Sequence, residues 1–156
     1  KNGVQDKNEP SLTQKQNLGT EKLSGYEVEL RAHVTTALQL FGNYTHLKSD
    51  VDTVPTRWTQ VLPKSGVLGV RYTSDTAFNP WGELVMRYAS RVASGQPVDG
   101  YHVFTVRTGA ALTAKFSVSA AVENIRNERY TFLGATTSAS LYAPGRQLVI
   151  GTQYRF

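Results

Sequence analysis

The sequence lacks cysteine altogether, has no long apolar run, and carries no dense block of one charge. Without cysteine, the 156-residue chain contains no disulfide framework, no Cys-ligated zinc or iron–sulfur centre and no cysteine nucleophile. No run of about 18 apolar residues predicts a transmembrane helix. Lys and Arg total 17 against 12 for Asp and Glu, which is too even a balance to predict nucleic-acid binding.

Signatures of catalysis and metal binding are also missing from the sequence. His33, His46 and His102 lie far apart and show no metal-ligand spacing. The glycines form no phosphate-binding loop, and no Gly-x-Ser-x-Gly motif is present. We therefore predict neither an enzyme nor a metal site, and no resident cofactor.

The dominant positive signal is an alternation of apolar and polar residues from residue 25 onward. This period of two predicts antiparallel β-strands. The seven predicted strands are Tyr26–Ala32, Thr36–Leu47, Gly66–Ser74, Gly82–Val92, Tyr101–Ala111, Lys115–Glu123 and Arg146–Phe156. Residues 1–24 are mostly polar and are predicted to form a loop. Several strands are long enough to cross a bilayer, which takes about 9–11 tilted residues.

The predicted connections alternate in length along the chain. Residues 33–35, 75–81 and 112–114 are the short ones, and residues 48–65, 93–100 and 124–145 are the long ones. Short periplasmic turns and long extracellular loops are typical of outer-membrane β-barrels. In such a barrel, residues 1–24 would be a further extracellular loop. The mean hydropathy of −0.34 agrees, because lipid-facing and lumen-facing residues average to a polar score.

The last residues resemble the C-terminal signal that outer-membrane barrels present to their assembly machinery. Phe156 is terminal, and Gly151 and Tyr154 precede it at the spacing of that signal. Val149 stands where the signal usually has a polar residue. The resemblance implies that Gly151, Tyr154 and Phe156 contact the barrel assembly machinery.

Four further segments resemble TonB-dependent outer-membrane receptors of the siderophore type. Gly25–Leu30 is similar to the family's Gly-x-Glu-x-Glu-Leu, and Leu40–Thr45 contains its Gly-Asn-Tyr-Thr. Val122–Tyr130 resembles its Asn-Leu-x-Asp-x-x-Tyr, with Asn127 in place of the commoner Asp. Ala143–Arg146 contains the Pro-Gly-Arg that opens the last strand.

The resemblance implies an all-β fold. The chain would be an antiparallel transmembrane segment of about seven strands, taken from a barrel of about 22 strands that a plug fills. Seven strands leave two unpaired edges and cannot close in lipid. The chain also starts without Met or a leader, so we expect residues 25–156 to be the C-terminal strands of a larger protein.

The same resemblance implies a location and a function. The protein is expected in the bacterial outer membrane, in contact with its lipid, and coupled to the TonB complex through a plug that this chain lacks. Its expected function is energy-coupled uptake of a ferric siderophore or a similar scarce ligand. An iron–siderophore chelate would be cargo and not a cofactor.

Candidate ligand contacts fall into two groups. Arg71, Arg87 and Arg107 lie on the non-lipid faces of their strands, where they would attract an anionic ligand. The favoured interpretation is that they pair with Glu83, Glu123 or the plug, because charges are usual in a barrel lumen. Long loops often carry binding residues. The candidates there are Arg57, Trp58, Arg91, Tyr130 and Tyr142.

Two alternatives stay open at this point. One is a small self-contained membrane barrel with a structural or adhesion role, for which residues 1–24 would have to supply an eighth strand. The other is a soluble β-sandwich that binds a ligand and packs its apolar faces into one core.

Overall fold

The structure is a computed structural model that describes residues 20–52, 62–92, 98–131 and 142–156. The seven strands are β1 (Thr20–His33), β2 (Leu38–Asp52), β3 (Lys64–Thr73), β4 (Trp81–Ala89), β5 (Tyr101–Ala111), β6 (Phe116–Glu123) and β7 (Gln147–Tyr154). They pair in chain order as one antiparallel sheet, which confirms the predicted all-β fold. Among the described residues, no helix is long and apolar enough to span a membrane.

The register gives the sheet two distinct faces. In every pair of neighbouring strands, even-numbered residues lie opposite even-numbered ones, as Leu84 lies opposite Val70 and Val106. Directly opposed residues share a face, and successive residues alternate between faces. The even-numbered residues of β1–β7 therefore form one surface, the even face, and the odd-numbered residues form the odd face.

The even face carries large, exposed apolar side chains on six of its seven strands. Large exposed apolar side chains on it are Tyr26, Val28, Leu30, Leu40, Leu68, Tyr72, Leu84, Val106, Leu148, Ile150 and Tyr154. Among the described strand residues, only Leu23 and Val149 are large, apolar and exposed on the odd face. An exposed apolar surface of this extent marks contact with lipid or another apolar partner.

Tyrosines mark both ends of the even face. Tyr26, Tyr44 and Tyr88 lie toward the long connections, and Tyr72 and Tyr154 lie toward the short turns. Amphipathic rings at both edges of an apolar band are typical of a protein that spans a membrane, because they sit where hydrocarbon meets water.

Two of the short turns use the same local chemistry. The Thr35 hydroxyl accepts the backbone N–H groups of Ala37 and Leu38 between β1 and β2. The Thr113 hydroxyl accepts those of Lys115 and Phe116 between β5 and β6. Because each hydroxyl satisfies the first donors of the returning strand, β2 begins at Leu38 and not at the predicted Thr36.

Three strand ends differ clearly from the prediction. β1 begins at Thr20 and β2 ends at Asp52, so residues 20–24 belong to a strand and not to the predicted loop of residues 1–24. In this paired extension the even face is polar, so the apolar pattern that marks the even face elsewhere stops at Tyr26 and does not reveal the strand. β4 ends at Ala89 and not at Val92. The side-chain hydroxyl of Ser90 accepts the Lys64 N–H, in place of the backbone carbonyl that would accept it in a continued strand pairing.

The sheet stays open among the described residues. β1 and β7 each have a neighbour on one side only, as expected for strands taken from a larger barrel. A β-sandwich requires a second sheet packed at about 10 Å. The described residues form no such sheet, which argues against the soluble alternative.

Candidate functional site

Two arginines and a glutamate form a row across the odd face, in the half nearer the short turns. Glu83 lies opposite Arg71 on β3 and opposite Arg107 on β5. Nη1 of Arg71 donates to Oε2 of Glu83, and Nη1 of Arg107 donates to Oε1, each over 3.4 Å. The Glu83 side chain is 11% exposed, which partly shields both pairs from water.

Aromatic rings lie over glycines beside this row. The guanidinium carbon of Arg71 is 4.3 Å from the centroid of the Trp81 ring, a cation–π contact. The indole covers Gly109, where an added Cβ would stand 2.8 Å from the ring. Phe41 covers Gly69 in the same manner. The glycines are therefore required for these rings to lie flat on the odd face.

Replacing Glu83 by Gln removes the acid that both arginines share. We expect Glu83→Gln to lower the free energy of unfolding by about 1–2 kcal/mol, since two partly shielded ion pairs are lost. The measurement is a urea titration of the full-length protein in vesicles at low and high salt, where the loss shrinks in high salt. Glu29→Gln is the control, because Glu29 meets Arg31 at 3.8 Å with both side chains mostly exposed. Equal effects of the two substitutions would rule out the shared-acid role of Glu83.

A small apolar cluster lies on the odd face at the end nearer the long connections. Ala89, Tyr101 and Val103 come from β4 and β5, and Tyr130 and Ala143 come from the connection between β6 and β7. The rings of Tyr101 and Tyr130 pack against each other, tilted by 37° with centroids 4.3 Å apart. The base of this connection therefore folds inward over the odd face.

Two asparagines join the two ends of the β6–β7 connection through hydrogen bonds. Asn124 is 3% exposed, its Nδ2 donates to the carbonyls of Glu128 and Pro144, and its Oδ1 accepts the Glu128 N–H. Oδ1 of Asn127 accepts the Arg146 N–H at 2.9 Å. Both asparagines have left-handed backbones, with φ of 50° and 54°, which Asn tolerates better than most residues. We call these contacts the asparagine latch.

The family model for TonB-dependent receptor-like β-barrels matches residues 2–125. The chain belongs to this family. Its seven strands, apolar even face and charged odd face are what a segment of such a barrel requires, with lipid on one side and lumen on the other. The prediction of a TonB-dependent receptor barrel is therefore confirmed.

One solved structure of similar fold is the P. aeruginosa protein FpvA bound to heterologous pyoverdines, in a complex with iron. The TM-score is 0.65 at 23% sequence identity, and the match covers 86% of this chain and 19% of that one. At this identity the likeness establishes the fold, and the chain spans about a fifth of FpvA. No curated protein sequence matches the chain.

The three mid-strand arginines that were predicted as one group do not lie together in the structure. Arg71 and Arg107 pair with Glu83, as the favoured interpretation states. Arg87 lies opposite Val103, four residues along β4 from Glu83 and so about 13 Å away, in the half that holds Tyr101 and Tyr130. Arg87 is the candidate that lies nearest the long connections on the lumen face.

The candidates in the long connections differ in accessibility. Arg91 is exposed, with its Nε 3.6 Å from Oδ1 of Asp99. Tyr142 is 55% exposed, and the guanidinium of Arg129 lies 4.4 Å from its ring centroid. Tyr130 is 9% exposed, so packing against Tyr101 occupies its ring. Arg57 and Trp58 lie outside the described residues.

Sequence reasoning missed the partners that position these side chains. It selected neither Trp81 nor Tyr101 as a lumen residue, and it gave Arg129 no role. A glycine opposite an aromatic residue on a neighbouring strand, as Gly109 is opposite Trp81, is the signal that could have located the ring. The described residues hold no group of three His, Asp or Glu side chains that could ligate a metal ion. The odd face thus offers cations, aromatic rings and hydrogen-bond donors to a ligand.

Proposed function

We propose that this chain supplies the C-terminal strands of an outer-membrane TonB-dependent receptor that takes up an iron–siderophore chelate. One observation carries the proposal: a single open sheet presents a continuous apolar face between two tyrosine rows and a charged face behind it. Family membership supports the receptor role. Fold similarity to FpvA, solved with pyoverdine and iron, favours a siderophore as the class of ligand.

In the proposed mechanism, long extracellular loops and the lumen capture the chelate, and a plug outside this chain couples release to TonB. Arg87, Arg91 and Tyr142 are the described candidates for ligand contact, because they lie on the lumen face or at the long-loop end. Arg71 and Arg107 would act on the ligand or plug through the net positive charge they retain around Glu83. Gly151, Tyr154 and Phe156 would engage the assembly machinery.

Iron uptake in cells tests the proposal. We expect deletion of the gene to abolish uptake of radioactive iron presented on at least one siderophore in a defined panel, and plasmid-borne protein to restore it. Deletion of tonB should give the same loss, since transport through the receptor needs that energy source. Uptake of free ferrous iron is the control and should stay unchanged.

The mass of the native protein separates this proposal from its first alternative. An antibody against the last strand should detect, in isolated outer membranes, a polypeptide several-fold heavier than 17.2 kDa. A band at 17.2 kDa in the membrane, with uptake intact in the deletion strain, would favour a small self-contained barrel and overturn the receptor.

A further inference from the structure

The cations of the strands are sorted by residue type between the two faces. Among the described strand residues, Arg31, Arg71, Arg87 and Arg107 all lie on the odd face. Lys22, Lys48 and Lys64 all lie on the even face, and all three are at its long-loop end. Arginines thus face the lumen, and lysines form a patch on the lipid side of β1–β3.

The lysine patch, formed by Lys22, Lys48 and Lys64, has excess positive charge. Lys22 lies opposite Asp50, and Nζ of Lys48 is 3.2 Å from Oδ1 of the same aspartate. Lys64 lies on β3 opposite His46. Asp52 also lies on this face, opposite Thr20. Three lysines against two aspartates leave one net positive charge to attract an anion.

Aromatic pairs fix the depth of the patch relative to the apolar band. Tyr26 and His46 stack with ring centroids 5.3 Å apart, and Tyr88 and His102 approach to 5.1 Å. Rings of this amphipathic kind sit at headgroup level in membranes. The lysines lie at or beyond the Tyr26–His46 row, so they are at the depth of lipid phosphates. Nδ1 of His46 is buried and has no hydrogen-bond partner among the described residues.

A shallow apolar groove begins directly below the patch. Gly42 lies opposite Leu68 and Gly66 lies opposite Tyr44, and because neither glycine has a side chain, the even face is lower there. The other lining residues include Val28, Leu30, Leu68 and Met86. The groove starts two residues from Lys64 on β3. A charged group therefore lies next to an apolar groove, which is the arrangement that an amphipathic ligand requires.

We propose that the lysine patch and the groove bind a phosphate-bearing lipid of the outer leaflet. The lysines hold the phosphate, and an acyl chain lies in the groove between β1 and β4. This inference rests on the proposed function, because it needs the even face to lie in the outer membrane. The patch is confined to β1–β3, and the corresponding ends of β4 and β5 carry no lysine in the described chain, so a defined site is favoured over a uniform basic ring.

The test uses the full-length receptor purified from outer membranes in dodecylmaltoside, with lipid A as the probe and native mass spectrometry as the readout. Each lysine near an anionic lipid surface contributes about fivefold in affinity. We expect the double substitution K48Q/K64Q to weaken lipid A binding about 25-fold. The matched control is K115Q/R155Q, which removes two exposed cations near the short turns and should leave binding unchanged.

Each outcome bears on the proposal. Equal lipid A affinity in the two double variants overturns it, and so does displacement of lipid A by millimolar inorganic phosphate, which would indicate a free-anion site. If K48Q/K64Q fails to fold, judged by its heat-dependent gel mobility, the single variants K48Q and K64Q replace it, each with an expected fivefold loss. Normal iron uptake by a receptor that shows no lipid preference would overturn this inference and leave the proposed function standing. Absence of the protein from the outer membrane removes the proposed function as well.

Discussion

Leu84→Arg is expected to lower the free energy of unfolding by about 2–4 kcal/mol, the cost of placing arginine on the lipid side of a barrel near the bilayer midplane. Leu84 lies on the even face between Val70 and Val106, about midway between the two tyrosine rows. Its side chain is 43% exposed in the sheet, so lipid and not protein would surround the new guanidinium. The measurement is a urea titration of the full-length receptor folded into phosphatidylcholine vesicles.

Ser119→Arg is the matched control for this substitution. Ser119 lies on the odd face, where it is opposite Gly109 on β5 and Gly151 on β7. Gly151 leaves space for the longer side chain on the β7 side, where only the Ser119 hydroxyl itself lies near the glycine, and the lumen provides water. We expect a change within about 0.5 kcal/mol, as for an ordinary surface substitution. Equal losses at Leu84 and Ser119 would refute the assignment of the lipid and lumen faces.

Alternation alone was sufficient to predict these faces. The predicted lipid side of the fourth strand, with Leu84 and Tyr88, is the even face, and predicted mid-strand charges such as Arg87 are on the odd face. The signal is strong here because a strand between lipid and lumen needs opposite polarity on its two sides. Where β1 and β2 extend beyond the apolar band, that need disappears, and the sequence no longer distinguishes strand from loop.

The candidate site was harder to predict than the fold. Selecting Arg71 and Arg107 required only that they lie mid-strand on a polar face, but their shared contact with Glu83 depends on register across three strands. Tyr130 was selected because it lies in a long connection, yet that connection folds back onto Tyr101. The pattern of a single sequence does not show that a connection folds back onto the sheet, because a residue's burial is set by elements far away in the chain.

The motifs behind the family resemblance have a physical explanation in the asparagine latch. Val122–Tyr130 and Ala143–Arg146 are the two ends of one connection, and Asn124 and Asn127 join them. Gly145 fits closely under Asn127, whose Oδ1 would stand 2.6 Å from an added Cβ. A carboxylate oxygen could accept the same Arg146 N–H, which explains how Asn127 replaces the commoner Asp.

Asn124→Ala is therefore expected to release the base of the β6–β7 connection. The substitution removes three hydrogen bonds from a side chain that is 3% exposed and adds strain at a φ of 50°. We expect a local loss of about 2–3 kcal/mol. Hydrogen exchange should accelerate about 30- to 150-fold at the amides of Ala143 and Arg146, which are bonded to Tyr130 and Asn127.

Two further substitutions separate the hydrogen bonds from the backbone strain. Asn124→Gly removes the same three bonds without strain, so it should retain most of the acceleration. Asn79→Ala adds similar strain at a φ of 42° in the exposed β3–β4 turn and should leave exchange at Ala143 and Arg146 unchanged. If Asn124→Gly exchanges at the wild-type rate, the three Asn124 hydrogen bonds do not hold the connection.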